Sequence, residues 1–279
     1  MKTYNCKPTL TDQEIIEFCK YGYLMLEEVV PDEINERVMA FCDVHPEGNP
    51  NDFLKEAWFV DQVLCNAPTA GAVRSLLGRD FGMPLTISNH RVHCPREIDG
   101  GWHCDDGSQH APNVDYLQVF YYPQATPVEM GPTEVLPGSH HLSMSSHFMK
   151  HLDSIVDARK TAAPAGSIFI TVYSIWHRAT TATAAGIRNL IKYTYWRTAA
   201  PARDWVVDPD FRLENADFAT GSPEPRRDWS RVCHDAARMY LWLRGELNNY
   251  EWIGGLAWPA SATAAHARGF CPGLPADFT

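Results

Sequence analysis

Between Leu85 and Trp196 the sequence changes from helical to strand-like patterning, and that change limits the architectures open to the chain. Thr86–Val92, Tyr116–Tyr122, Ile168–Val172 and Ile187–Trp196 are rich in β-branched and aromatic residues, which suit a pleated, half-buried surface. Gly and Pro punctuate them at Met130-Gly131-Pro132, Pro137-Gly138-Ser139 and Pro164-Ala165-Gly166. Several strands with turn signals between them predict a β-sandwich or jelly roll.

Helical signals flank this region. Leu10-Thr11-Asp12-Gln13-Glu14 has the form of a helix cap, and Ile15, Ile16 and Phe18 supply an apolar face over Thr9–Cys19. Gly22 ends that helix, and Tyr23–Leu26 reads as a short strand. Pro31-Asp32-Glu33 opens a second helix towards Phe41, and Glu56–Cys65 and Thr69–Leu77 add two more. After Trp196 come Pro-rich loops and one helical stretch, Asp228–Leu247, expected to pack back on the barrel. The pattern predicts one domain over residues 1–279, mainly β with α: a helical N-terminal layer (1–80), a jelly-roll core (84–198) and a C-terminal extension (199–279).

Composition narrows the partners. A net charge of −10 argues against nucleic acid or an anionic membrane, both of which call for a basic patch. No apolar run approaches the roughly 18–20 residues that span a bilayer. The start, Met1-Lys2-Thr3-Tyr4-Asn5-Cys6-Lys7, lacks an apolar signal core, so a cytoplasmic protein is expected. The sequence leaves monomer and homodimer open. Eight cysteines, with no Cys-x-x-Cys pair, predict free thiols rather than a disulfide framework or a cysteine-built zinc site.

His103-Cys104-Asp105 carries the chemistry. Side chains alternate along an extended segment, so a His-x-Asp pair presents two metal-binding groups on one side. A third histidine from a distant strand, His177 in Trp176-His177, would complete a 2-His-1-carboxylate triad that leaves positions of an octahedral iron open. Arg188, eleven residues on (188 − 177 = 11), is placed to anchor a carboxylate. His-x-Asp alone is weak in a chain with twelve histidines. Gly100-Gly101, where the backbone can bend, Trp102 as an apolar wall, and the position of His177 after a β-like run strengthen it. His90, Arg91 and His93 alternate on a predicted strand, so His90 or His93 is a candidate to touch substrate. His140, His141, His147 and His151 read as a polar loop and helix start at the rim of the site rather than as a zinc site.

These pieces resemble the phytanoyl-CoA dioxygenase family, iron- and 2-oxoglutarate-dependent oxygenases on a double-stranded β-helix (a cupin-like barrel). The matching segments are Leu10-Thr11-x-x-Glu14, Phe18-x-x-Tyr21-Gly22-Tyr23, His103-x-Asp105, Gly131 to His140, Pro164-x-Gly166-Ser167, and Trp176-His177 with Arg188. They run in the family's order over about two-thirds of the chain, and the final eighty residues match nothing in it. The resemblance implies Fe(II) on His103, Asp105 and His177, and 2-oxoglutarate on Arg188, with O2 as second co-substrate. Gln118 and Thr133 are candidates to hydrogen-bond the co-substrate, and Tyr116, on the same face as Gln118, to wall the pocket. Related halogenases lack the carboxylate ligand, so Asp105 favours hydroxylation or another C–H oxidation. Without a basic cluster for coenzyme-A phosphates, the expected substrate is a small metabolite or natural-product intermediate. The alternatives are a non-catalytic metal- or ligand-binding jelly roll, or a metal enzyme of this barrel that uses no 2-oxo acid.

Overall fold

Alternation along the central strands divides the protein between two cores. The structure, a computed structural model, describes residues 1–97, 101–105, 112–142, 150–212, 216 and 226–246, with the backbone alone over 226–234. Its strands are β1 (Thr3–Tyr4), β2 (Tyr23–Leu26), β3 (Phe81–Gly82), β4 (Ser88–Asn89), β5 (Val92–Arg96) and β6 (Tyr116–Tyr122). They continue with β7 (Glu134–Val135), β8 (Arg159–Lys160), β9 (Ser167–Val172), β10 (His177–Arg178), β11 (Ala182–Arg188) and β12 (Ile191–Trp196). The α-helices are α1 (Asp12–Tyr21), α2 (Asp32–Val44), the single-turn α3 (Ala57–Phe59), α4 (Ala67–Leu77) and α5 (Arg226–Leu243).

The pairing between these strands is antiparallel. The largest sheet runs β1-β3-β12-β6-β9-β2 with β4 beside β12, a second runs β10-β7-β8, and β11 pairs with β5. In β6, Leu117, Val119 and Tyr121 face the helical layer together with Ile168, Ile170, Ile191, Tyr193 and Tyr195. This is the main core, where each fully buried Ile, Leu or Val contributes about 1.5–3 kcal/mol. Phe120 and Tyr122 point the other way and join Phe169, Leu190, Ile175 and Val135 of the second sheet in a smaller core. Because side chains repeat with period two, Gln118, Lys192 and Thr194 share that inner face, where the site lies.

The cap signals are realised in α1. Thr11 Oγ1 accepts from Glu14 N, the Glu14 carboxylate accepts from Thr11 N, and Gly22 closes the helix in the left-handed region (φ 80°). Two strand expectations change. Thr86–Val92 divides into β4 and the start of β5, and Ile187–Trp196 divides between β11 and β12. The second break falls where the chain leaves β5 for β6. There Asn189 N donates to Gln124 Oε1 (3.0 Å), and Asn89 Nδ2 donates to Asn189 Oδ1 (2.9 Å).

The chain after Trp196 is tied back to the helical layer. Asp12, fully buried, accepts from Arg203 Nη2, Trp205 Nε1, Tyr240 Oη and Asp208 N, and α5 packs on α1. Arg74 pairs with Asp204 through two hydrogen bonds (2.9 and 3.0 Å). The six cysteines with described side chains are free thiols. Cys233 and Cys271 lie outside those residues, as do His147 and the residues between α5 and the C-terminus beyond 246. Among the described residues no helix is long and apolar enough to cross a membrane.

Candidate metal centre

His103 and His177 form an isolated antiparallel bridge and exchange both backbone hydrogen bonds (3.0 and 2.8 Å). Directly opposed residues project side chains to the same face, so the rings lie 4.4 Å apart. Asp105, two residues beyond His103, joins them, with Oδ1 3.8 Å from His177 Nε2. One ligand atom from each of the three lies within 4.8 Å of the others, the single such group found among the described residues.

Both rings are set in the orientation a metal requires. His103 Nδ1 donates to Gly101 O and His177 Nδ1 donates to Ile175 O, each at 3.1 Å. A carbonyl can only accept, so the proton sits on Nδ1 and a neutral ring offers the Nε2 lone pair. Burial, reinforced by His103, pushes His177 down to about 4, so it is neutral at physiological pH. Burial alone would raise the Asp105 carboxyl, but the Lys192 charge, with His177 and hydrogen bonds from Lys192 and Gln118, outweighs this and lowers it.

Local sequence explains these placements. A Cβ on Gly101 would sit 2.8 Å from the Lys150 carbonyl, so the His103 segment can lie against residue 150 only with glycine there. The Pro-Gly-Ser-His turn supports the other ligand strand: Ser139 Oγ accepts from Trp176 N (2.8 Å), and Gly138 N donates to Tyr21 O. His140 departs from the expected rim loop. It is fully buried, and its Nε2 donates to Cys19 O at the end of α1 (3.1 Å), tying the turn to the first helix. Arg178 points away from His177 towards Glu134 (2.6 Å) and lies over Trp102. Trp102 Nε1 donates to Asp153 O, which fastens the chain beside both ligand strands.

Arg188 is 5% exposed. Its Nη1 donates to Gly131 O, whereas Nε is buried without a hydrogen-bond partner. Among the described residues it makes no ion pair, and lost hydration lowers its pKa. A buried guanidinium with an unused N–H fits an incoming carboxylate. Thr133 is buried two residues from Gly131, and its carbonyl accepts from Thr161.

The remaining sequence candidates are placed differently. Gln118 donates to Asp105 Oδ2, so it touches a triad member directly. His90 is exposed to solvent, yet lost hydration and the nearby Lys192 and Arg188 charges push it down to about 4. His93 pairs with Ile187, whereas Val92 pairs with Arg188, so the register turns His93 to the opposite face. Tyr116 stands half-exposed at the end of β6 near Tyr173. Sequence reasoning missed Lys192, whose Nζ lies 2.6 Å from Asp105 Oδ2. The available signal was its even spacing from Arg188 on one predicted strand.

No family model matches the sequence, and no curated protein matches it. Solved structures share its fold. HygX from Streptomyces hygroscopicus, with nickel and 2-oxoglutarate bound, superposes with a TM-score of 0.56 at 15% identity, over 70% of this chain and 88% of that one. The non-haem α-ketoglutarate-dependent carbocyclase SnoK from nogalamycin biosynthesis gives 0.53 at 17% identity, over 72% and 91%. The non-haem monooxygenase ThoJ, as its nickel complex, gives 0.52 at 14% identity, over 85% and 99%. The chain thus has the mainly antiparallel β fold with flanking helices on which these proteins are built.

Proposed function

We propose that this protein is a non-haem Fe(II)- and 2-oxoglutarate-dependent oxygenase with a jelly-roll core, similar to the phytanoyl-CoA dioxygenases. It would oxidise a C–H bond of a small metabolite or natural-product intermediate. The observation that carries this reading is the convergence of His103, Asp105 and His177 with both Nδ1 atoms committed to backbone carbonyls. Two imidazoles and one carboxylate are the donor set suited to Fe(II) with open positions. The 2-oxoglutarate bound to HygX and the place of SnoK in nogalamycin biosynthesis support the choice of co-substrate and substrate class.

When bound, iron with 2-oxoglutarate and O2 supplies an oxidant for a C–H bond, the 2-oxo acid leaving as succinate and CO2. The chain's own residues bind and orient. His103, Asp105 and His177 would hold the metal, and Arg188 would hold the far carboxylate of 2-oxoglutarate through its unused N–H groups. Phe120, edge-on to His177 at 5.9 Å, and Leu190 give the inner face an apolar wall that limits water. His90 stands at the solvent-reached side, where a substrate would enter.

Succinate formation under air tests the assignment. The wild-type protein with Fe(II) and 2-oxoglutarate is expected to form succinate, and His103→Ala and Asp105→Ala to fall to background. Undiminished succinate formation in either variant would refute the triad.

A further inference from the structure

We propose that Lys192 is a positioning residue that, with Gln118, clamps one oxygen of Asp105 so that the carboxylate meets the metal through the other oxygen alone. This rests on the metal-centre reading above. Lys192 Nζ lies 2.6 Å from Asp105 Oδ2, and Gln118 Nε2 donates to the same oxygen. Oδ1 is turned towards His177 Nε2 at 3.8 Å. The two donors come from adjacent strands. Lys192 pairs with Phe120, and Gln118 is two residues before it on the same face of β6.

The position of Lys192 is unusual for its type. Its side chain is mostly buried on the inner face of the sheet, over the Phe120 ring at 5.4 Å. Lysine is seldom buried unless paired, and here Lys192 forms an ion pair with Asp105. Gln118 is fully buried, and its Oε1 has no hydrogen-bond partner, so Nε2 is the end of the amide the site uses. A carboxylate with both oxygens available can chelate a cation, whereas one whose second oxygen accepts from an ammonium and an amide is restricted to one-oxygen ligation. The clamp therefore controls how many metal positions Asp105 occupies, and so how many stay open for co-substrates.

Co(II) titration of the full-length protein without oxygen tests this, because cobalt absorption reports coordination number. The wild type is expected to bind Co(II). Lys192→Met is expected to weaken binding by about 10–100-fold, the usual cost of losing an outer-shell partner, and to shift the visible bands. Lys192→Arg should restore both, since a guanidinium also donates to Oδ2. Gln118→Leu, which removes the other donor, should shift the bands in the same direction and serves as the second test where Lys192→Met does not fold. Unchanged affinity and spectrum in the variants would overturn the clamp. So would tighter Co(II) binding by Lys192→Met, the sign expected if Lys192 acts only by charge repulsion. A folded wild type that binds no Co(II) would instead overturn the metal-centre reading, and the clamp with it.

Discussion

Replacing Arg188 by methionine should separate ligand binding from stability, because the two respond in opposite directions. Arg188 is a buried cation with one hydrogen bond to Gly131 O, an unpartnered Nε and no ion pair among the described residues. Burial strips its hydration, which lowers its pKa, and a single carbonyl offsets little of that loss. Methionine keeps most of the apolar stem and removes the charge. Exchanging buried ionic groups for apolar ones of similar volume is neutral or stabilising by about 1–4 kcal/mol. At roughly 2 °C per kcal/mol for a chain of this size, the metal-free variant should melt at the wild-type temperature or up to about 8 °C higher. Hydrogen bonds to charged groups contribute about 1.5–3 kcal/mol each, so losing one or two should weaken 2-oxoglutarate binding by about 10- to 10⁴-fold. The assay is thermal melting with and without 2-oxoglutarate in the Mn(II) protein, with calorimetric titration of the ligand. Wild-type 2-oxoglutarate affinity in a clearly destabilised Arg188→Met would refute the reasoning and make Arg188 a structural cation.

Two further outcomes follow from the geometry. Asp12→Ala strands four donors around a buried position and should cost about 3–5 kcal/mol at neutral pH. Burial raises the Asp12 carboxyl, but hydrogen bonds from Trp205, Arg203, Asp208 and Tyr240 outweigh it and lower its pKa, so its contribution is complete above the unfolded value near 4 and fades as pH falls through the folded one. Urea melts at pH 7 and pH 3 should show the wild-type advantage shrinking at the lower pH, and an advantage that grows there would contradict the assignment. Gly131→Ala places a Cβ 2.6 Å from Thr180 O at a φ of 65°, so the carbonyl that orients Arg188 must move. Weaker 2-oxoglutarate binding with Mn(II) affinity retained is expected by calorimetry, and unchanged binding would show that the carbonyl does not set the arginine.

The candidate site was legible where it depends on neighbours in sequence. His103-x-Asp105 needs only period-two alternation, and Thr11, Glu14 and Gly22 describe their own helix from within one turn at each end. What escaped is set across distance. The break between β11 and β12 depends on Asn89 and Gln124, which lie 100 and 65 residues from Asn189, and no local propensity encodes it. Lys192 was hidden because a charged residue alternating with apolar ones looks like the wet face of a strand. Its register with Phe120 turns it inward towards Asp105. His140 looked like a loop histidine because its partner, the Cys19 carbonyl, is 121 residues away. That His93 faces away from Arg188 is likewise set by its pairing with Ile187, across the sheet.

On the function proposed above, this centre holds Fe(II) and takes 2-oxoglutarate as a chelating co-substrate beside Arg188. Titrating 2-oxoglutarate into the Fe(II)-loaded protein without oxygen and recording the visible spectrum tests it most directly. A weak metal-to-ligand charge-transfer band that saturates with 2-oxoglutarate, and is lost in Asp105→Ala, is the predicted result. A protein that binds Fe(II) but develops no such band at saturating 2-oxoglutarate would contradict it.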